Sequence, residues 1–195
     1  MSDFHRNINL MAMLFFYTET AVYEMKDNAD GTVLVEAKSR LGAVHYFYFV
    51  KKCLQGQVYR KDFNDCRGGG SADNFWLAAR IAFCDKNDTS CDALEKNPVY
   101  QNCAGDATSG KKWAPLTSLY QIREIPNFEG YFPDIPFRNP VGIWSNASTY
   151  SENNSTPVGA RESYANYYTL ESSSKDLKTS RKFVLCRSGI EKPAT

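Results

Sequence analysis

LGAVHYFYFVKKC (Leu41–Cys53) is a nearly continuous run of β-branched and aromatic residues, and its reading decides the fold. Val44, Tyr46, Tyr48 and Val50 fall on one face of an extended strand, and His45, Phe47 and Phe49 fall on the other. Both faces are largely apolar, so the pattern predicts a strand buried on both sides or nearly so, with His45 as a core histidine. Just upstream, DNADGT (Asp27–Thr32) combines Asn, Asp and Gly as a tight turn does. It separates TAVYEM from TVLVEA, which read as the arms of a hairpin feeding the aromatic strand.

The whole chain of 195 residues is long enough for one domain with a substantial core, and its 43% hydrophobic content fits a soluble globular protein. Lys and Arg number 23 against 22 Asp and Glu. Such a balance supplies no field for DNA or an anionic membrane, and nucleic acid is not expected as a partner. Six cysteines with two histidines and no CxxC pair point to a disulfide framework rather than a metal-thiolate site, with fifteen possible pairings. Disulfides in turn imply an oxidising compartment: periplasm, cell surface or the extracellular medium. No metal or other cofactor is expected.

INLMAMLFFY (residues 8–17) is the one segment resembling a signal-peptide core. It is too short to span a bilayer and lacks an A-x-A cleavage site. If retained, it should be buried, either in its own core or against another subunit, with Leu14, Phe15 and Phe16 as the candidate assembly residues. We therefore divide the chain into an N-terminal apolar segment (1–22), a single domain (23–190) and a short tail (191–195).

Along that domain, Asp73 is placed to cap a helix over NFWLAARIAFC (74–84), and Thr117 to cap a second over SLYQIREI, which Pro126 stops. Between them DKNDTSCDALEKNPVYQNCAGDATSGKK reads as a long polar loop holding Cys91 and Cys103. ESYANYYTLES alternates as a strand. RKFVLCRSG reads as the final strand, with Val184 and Cys186 on one face and Phe183 and Leu185 on the other.

Taken in order, DNADGTV, LGAVHYFYFVKKC, CLQGQ followed by Cys66, W..A...FC, KWAPLTSLYQIREI, YFPDIP, IWSNASTY and KFVLCRSG resemble the Lcl C-terminal domain family, over roughly Tyr23 to Gly189. That family is named for a bacterial collagen-like adhesin and is similar in fold to the C-type lectins and the formylglycine-generating enzymes. The resemblance implies an α+β, C-type-lectin-like fold: a twisted antiparallel sheet with two helices and long disulfide-bonded loops. It also implies a pairing in which the helix cysteine joins the last strand, Cys84–Cys186, leaving Cys53–Cys66 and Cys91–Cys103 as local bridges. Loss of Cys186 should then damage folding more than loss of Cys66.

In that architecture binding lies in polar loops beyond the core. VGIWSNASTYSENNSTPVGARESYANYY (141–168) has the Tyr, Ser and Asn content of an adaptable binding surface, between Trp144 and Tyr168 as core anchors. Its candidate ligand residues are Tyr150, Asn153, Asn154, Arg161 and Tyr164. Calcium-dependent sugar binding is not expected, since EIPN and WSN replace the triplets such lectins use. No GxSxG, HExxH or phosphate-binding glycine loop is present, and no enzyme is expected. Lys175, Lys178, Arg181, Lys182 and Arg187 form a basic stretch that suits a lysine-protected edge strand better than a patch for sulfated glycans. The function so predicted is a non-catalytic binding module on a bacterial surface, adhesin-like, for a glycan, matrix or protein ligand. The alternative is a structural subunit or accessory protein of an extracellular filament, sheath or appendage.

Overall fold

A computed structural model describes residues 21–68, 78–106, 108–116, 122, 125–135, 142–148, 159–164 and 173–194. Over these residues the protein is mostly β, with antiparallel pairing, one α-helix and three disulfides. The hairpin expected around DNADGT is present as β1 (Val22–Asp27) and β2 (Thr32–Lys38), paired Asp27 to Val33 through Val22 to Lys38. Its turn is held by the Asp30 side chain, which accepts from the Thr32 amide at 3.0 Å and hydroxyl at 2.6 Å. Gly31 has φ +83°, and a Cβ there would stand 2.7 Å from the Tyr59 ring, so both the turn and the close approach of the Tyr59 ring need glycine.

The aromatic stretch forms β3 (Val44–Lys51), which pairs with β2. The final segment forms β12 (Cys186–Ser188), between β3 and β7 (Trp113–Pro115). The resulting sheet has the order β1-β2-β3-β12-β7. Shorter pairs surround it: β4 (Gln57–Arg60) with β5 (Asp65–Gly68), and β6 (Ile81–Ala82) with β11 (Arg181–Lys182). A separate three-stranded sheet holds β8 (Gly142–Ser148), β9 (Gly159–Tyr164) and β10 (Ser173–Leu177), with β9 central.

Two apolar clusters stabilise this arrangement, and alternation in the final segment feeds both. Leu185 joins Met25, Val33, Val35, Tyr48, Val50 and Ile143 in the larger cluster, with Phe183 packed against it. Val184 and Cys186 point the other way, into a second cluster with Phe83, Val99, Trp113 and Trp144. Phe83 meets Trp144 edge to face at 5.7 Å, and the indole N–H of Trp144 donates to the Ile81 carbonyl at 2.7 Å. Trp144 is thus the core anchor its sequence position suggested.

Several expectations are corrected. The predicted helix over 74–84 is absent from Ala78 onward: Ala78–Arg80 is irregular and Ile81–Ala82 is a strand, while 74–77 lies outside the described residues. The apolar run there is explained by Ile81 and Phe83 entering the second cluster from a short strand. Helix α1 (Pro98–Ala104) stands instead in the stretch read as loop, where the Asn97 side chain accepts from the amides of Val99 and Tyr100 and Pro98 starts the first turn. Of the second predicted helix, Ile122 and Ile125 are buried in the larger cluster and most of the remainder lies outside the described residues.

Cys53–Cys66 forms as expected, but the other two bridges are Cys84–Cys91 and Cys103–Cys186, not Cys84–Cys186 and Cys91–Cys103. A helix-to-last-strand bridge does exist, yet α1 supplies it. That helix packs on β7, whose Pro115 pairs with Cys186, and so brings Cys103 to a Cα separation of 5.8 Å. Cys84, on an extended segment, meets Cys91 across the 85–90 loop. Strand β3 is less enclosed than predicted: Tyr48 and Val50 are buried, Phe47 and Phe49 are half-buried, and His45 is exposed near the strand's start rather than in the core.

Candidate functional site

Strand β3 ends in Lys51-Lys52-Cys53, and the chain there turns from sheet into the β4–β5 hairpin. The β1–β2 turn lies alongside, the Lys52 amide donating to the Gly31 carbonyl at 2.9 Å. The segment after α1 closes the third side. Together they enclose a cleft of about 330 Å³, bordered by Asp30 and Gly31, by Lys51 and Cys53–Gln55, by Gln57–Tyr59 and by Asp106. This volume is at the small end of ligand pockets.

Two disulfides brace the walls. Cys53–Cys66 ties the end of β3 to β5, and Cys103–Cys186 ties α1 to β12. Further fastening comes from backbone and side-chain hydrogen bonds: Gln55 N–H to the Val184 carbonyl at 2.8 Å, and Gln55 Nε2 to the Asn102 carbonyl at 3.2 Å. Gly56, at φ +85°, lets the chain pass close to Ala79, whose amide a Cβ would approach to 2.8 Å.

The charges of the cleft fall into two groups. Lys51 Nζ pairs with Asp106 Oδ2 and lies 5.2 Å from the Trp113 ring centroid. Burial pushes the Lys51 ammonium down to about 8. Asp30 is different. Burial acts to raise its pKa, but the Thr32 hydroxyl, the Ser109 hydroxyl at 3.1 Å and the Thr32 amide outweigh that and hold the carboxyl below its ordinary value. Among the described residues its partners are all uncharged.

Behind the cleft, Lys52 is buried. Its ammonium pairs with Asp27 at 2.6 Å, donates to Asn64 Oδ1 at 2.9 Å and lies 4.8 Å from the Tyr59 ring centroid. These contacts fix Tyr59 and the hairpin tip. The exposed edge carries Val58.

Sequence reasoning placed binding elsewhere. Arg161 and Tyr164 belong to β9, with Arg161 opposite Lys175 and Tyr164 opposite Gly142, so they stand in the sheet rather than in an open loop. Tyr150, Asn153 and Asn154 lie outside the described residues, as do Leu14, Phe15 and Phe16. The basic stretch near the C-terminus is broken up: Lys178 is fully buried on Asp92 and the Asp88 carbonyl, Arg181 is exposed and Arg187 is half-buried. The cleft was missed because its walls come from three distant parts of the sequence. One signal was present: CLQGQ, a glycine-containing turn between a cysteine and a strand, forms its floor.

The class these features define is a disulfide-braced, antiparallel β domain with a small, mixed-polarity cleft at one end of its main sheet. All six cysteines are in disulfides, and no thiol is left as a nucleophile. No known family, no curated protein and no solved structure matches the chain. Three disulfides fit export to an oxidising compartment, and no helix among the described residues is long and apolar enough to cross a membrane.

Proposed function

We propose that the chain is a non-catalytic, exported binding module of a bacterial surface protein, of the kind the Lcl C-terminal domains represent, and that its ligand sits in the Asp30–Lys51–Tyr59–Asp106 cleft. The observation that carries this reading is the bracing: Cys53, in the cleft's wall, is bonded to Cys66, and Cys103–Cys186 fastens the helix that leads to Asp106. A site held by covalent bonds loses little entropy when it binds, which is what a module built for capture needs.

The test is a capture screen with the oxidised full chain against immobilised glycans and matrix proteins, beside the variant Val58→Arg. Val58 is exposed on the cleft edge, so arginine there obstructs the mouth without disturbing the core. A ligand retained by the native chain and lost by at least about tenfold in the variant, at unchanged Tm, is the expected result. A native chain that captures nothing, or a variant that captures equally well, contradicts the reading.

A further inference from the structure

The hydrogen-bonding inventory of the cleft is lopsided. Its one ammonium, Lys51, is engaged by Asp106. Its acceptors are less well provided for. Asp30 carries a full charge with only hydroxyl and amide donors around it. Gln55 Oε1 lies 3.5 Å from Cys186 Sγ, but that sulfur is bonded to Cys103 and has no hydrogen to give. Gln55 Nε2 already donates to Asn102, so the amide orientation is set, and the oxygen of this cleft-bordering residue has no donor among the described residues. Two carboxylates against one ammonium leave the cleft net negative. An anionic ligand would have to break the Lys51–Asp106 pair and then face Asp30.

Resting on the reading of the cleft as the ligand site, we propose that it selects saccharides bearing a free primary amine, an unacetylated hexosamine unit being the simplest, with the ammonium on Asp30 and a ring hydroxyl donating to Gln55 Oε1. A sugar amine brings both kinds of donor the cleft lacks, three N–H bonds and adjacent O–H groups, on a compact body. The apolar ring face has the exposed Val58 side chain to lie against. A lysine side chain brings the ammonium alone, on a stem with no donor for Gln55. Sulfated glycans bring no ammonium for Asp30 and carry the wrong charge.

The experiment is calorimetric titration of the oxidised full chain with chitosan oligosaccharides, their N-acetylated counterparts, a lysine-rich peptide and a sulfated glycan, at about pH 6, where such amines hold their proton. The unacetylated oligosaccharide should bind at least about tenfold tighter than the acetylated one. Asp30→Asn, which keeps an acceptor for the Thr32 turn and removes the charge, should erase that preference while the variant, at a modestly lower Tm, stays folded at the titration temperature. Gln55→Leu should weaken both oligosaccharides alike. Equal affinity for the two oligosaccharides overturns the amine assignment and leaves the binding reading standing. Tighter binding of the lysine peptide, or of the sulfated glycan, overturns the saccharide and the charge assignments respectively. If no probe binds while a screened matrix protein is captured and lost on Val58→Arg, this inference fails and the binding module survives; if that protein too is absent, both fail.

Discussion

Lys51, Lys52 and Lys178 have little contact with water, and each faces a carboxylate. Lys52 and Lys178 are the more enclosed, and each has a carboxylate partner with further acceptors, which offset the cost of taking its head group out of water. Lys178→Ala removes the charge and the packing over Phe83 together, and should lower stability by about 3 kcal/mol, with Asp92 partly relieved by its exposure to water. Lys178→Met, which keeps the stem, should cost clearly less; chemical denaturation of the two variants tests this, and equal losses would show that packing contributes nothing. Lys51 is shifted toward neutrality by burial, so at pH 8 a larger fraction of it is unprotonated than of an exposed lysine. The pH profile of acylation at Lys51, read by mass spectrometry, should reach its half-maximal rate at lower pH than that of exposed lysines, and a coincident profile would contradict the shift. None of this was visible in the sequence. Lys178 reads as one of five basic residues in a tail, and only the arrival of Asp88 and Asp92 from a loop about ninety residues earlier makes it internal.

At the scale of elements, the bridges should be unequal. Cys103–Cys186 joins residues 83 apart and Cys84–Cys91 joins residues 7 apart. Chain entropy alone makes the first worth about 4.5 kcal/mol and the second about 2.4 kcal/mol. Replacing Cys103 and Cys186 together by Ser should therefore cost roughly twice as much in thermal or denaturant unfolding as replacing Cys84 and Cys91, and the reverse order would show that strain or packing governs both. The same contrast explains what could be read in advance. Strands β1 to β3 were legible because a tight turn and strict alternation act over a few residues. The face assignment of Phe183 to Cys186 was legible for the same reason. Helix α1 has seven residues, too few for an apolar period to emerge, and its Asn97-Pro98 start was hidden in a polar stretch. The apolar run ending at Phe83 has helical composition, yet β11 and the second cluster hold it extended. Once that helix was misplaced, the wrong cysteine was offered to Cys186.

For the whole molecule, the nearly balanced charge is arranged as local pairs, which makes the acid side of the stability curve predictable. Glu36 is held below its ordinary value chiefly by Lys26, with Lys38 adding to it, and Asp30 by its hydroxyl donors. A carboxyl whose folded pKa is depressed stabilises the protein above its unfolded value and loses that contribution as pH falls through the lower, folded one. Melting temperature should accordingly hold from neutrality to about pH 5 and fall below about pH 4, where an unfolded chain takes up protons that the folded one resists. A Tm that does not fall there would mean these pairs contribute nothing. The fold class was legible at this scale as a disulfide-bonded antiparallel sheet, whereas the site was not, since no local pattern marks a cleft assembled from residues 30, 51–59 and 106. The central claim is that ligand enters there, and hydrogen exchange of the oxidised full chain, with and without a captured ligand, tests it most directly. Protection concentrated at the amides of Gly31 and Leu54–Tyr59 is the predicted result. Protection confined to residues 142–164, with the cleft amides unchanged, would contradict it and return binding to the Trp144 hairpin.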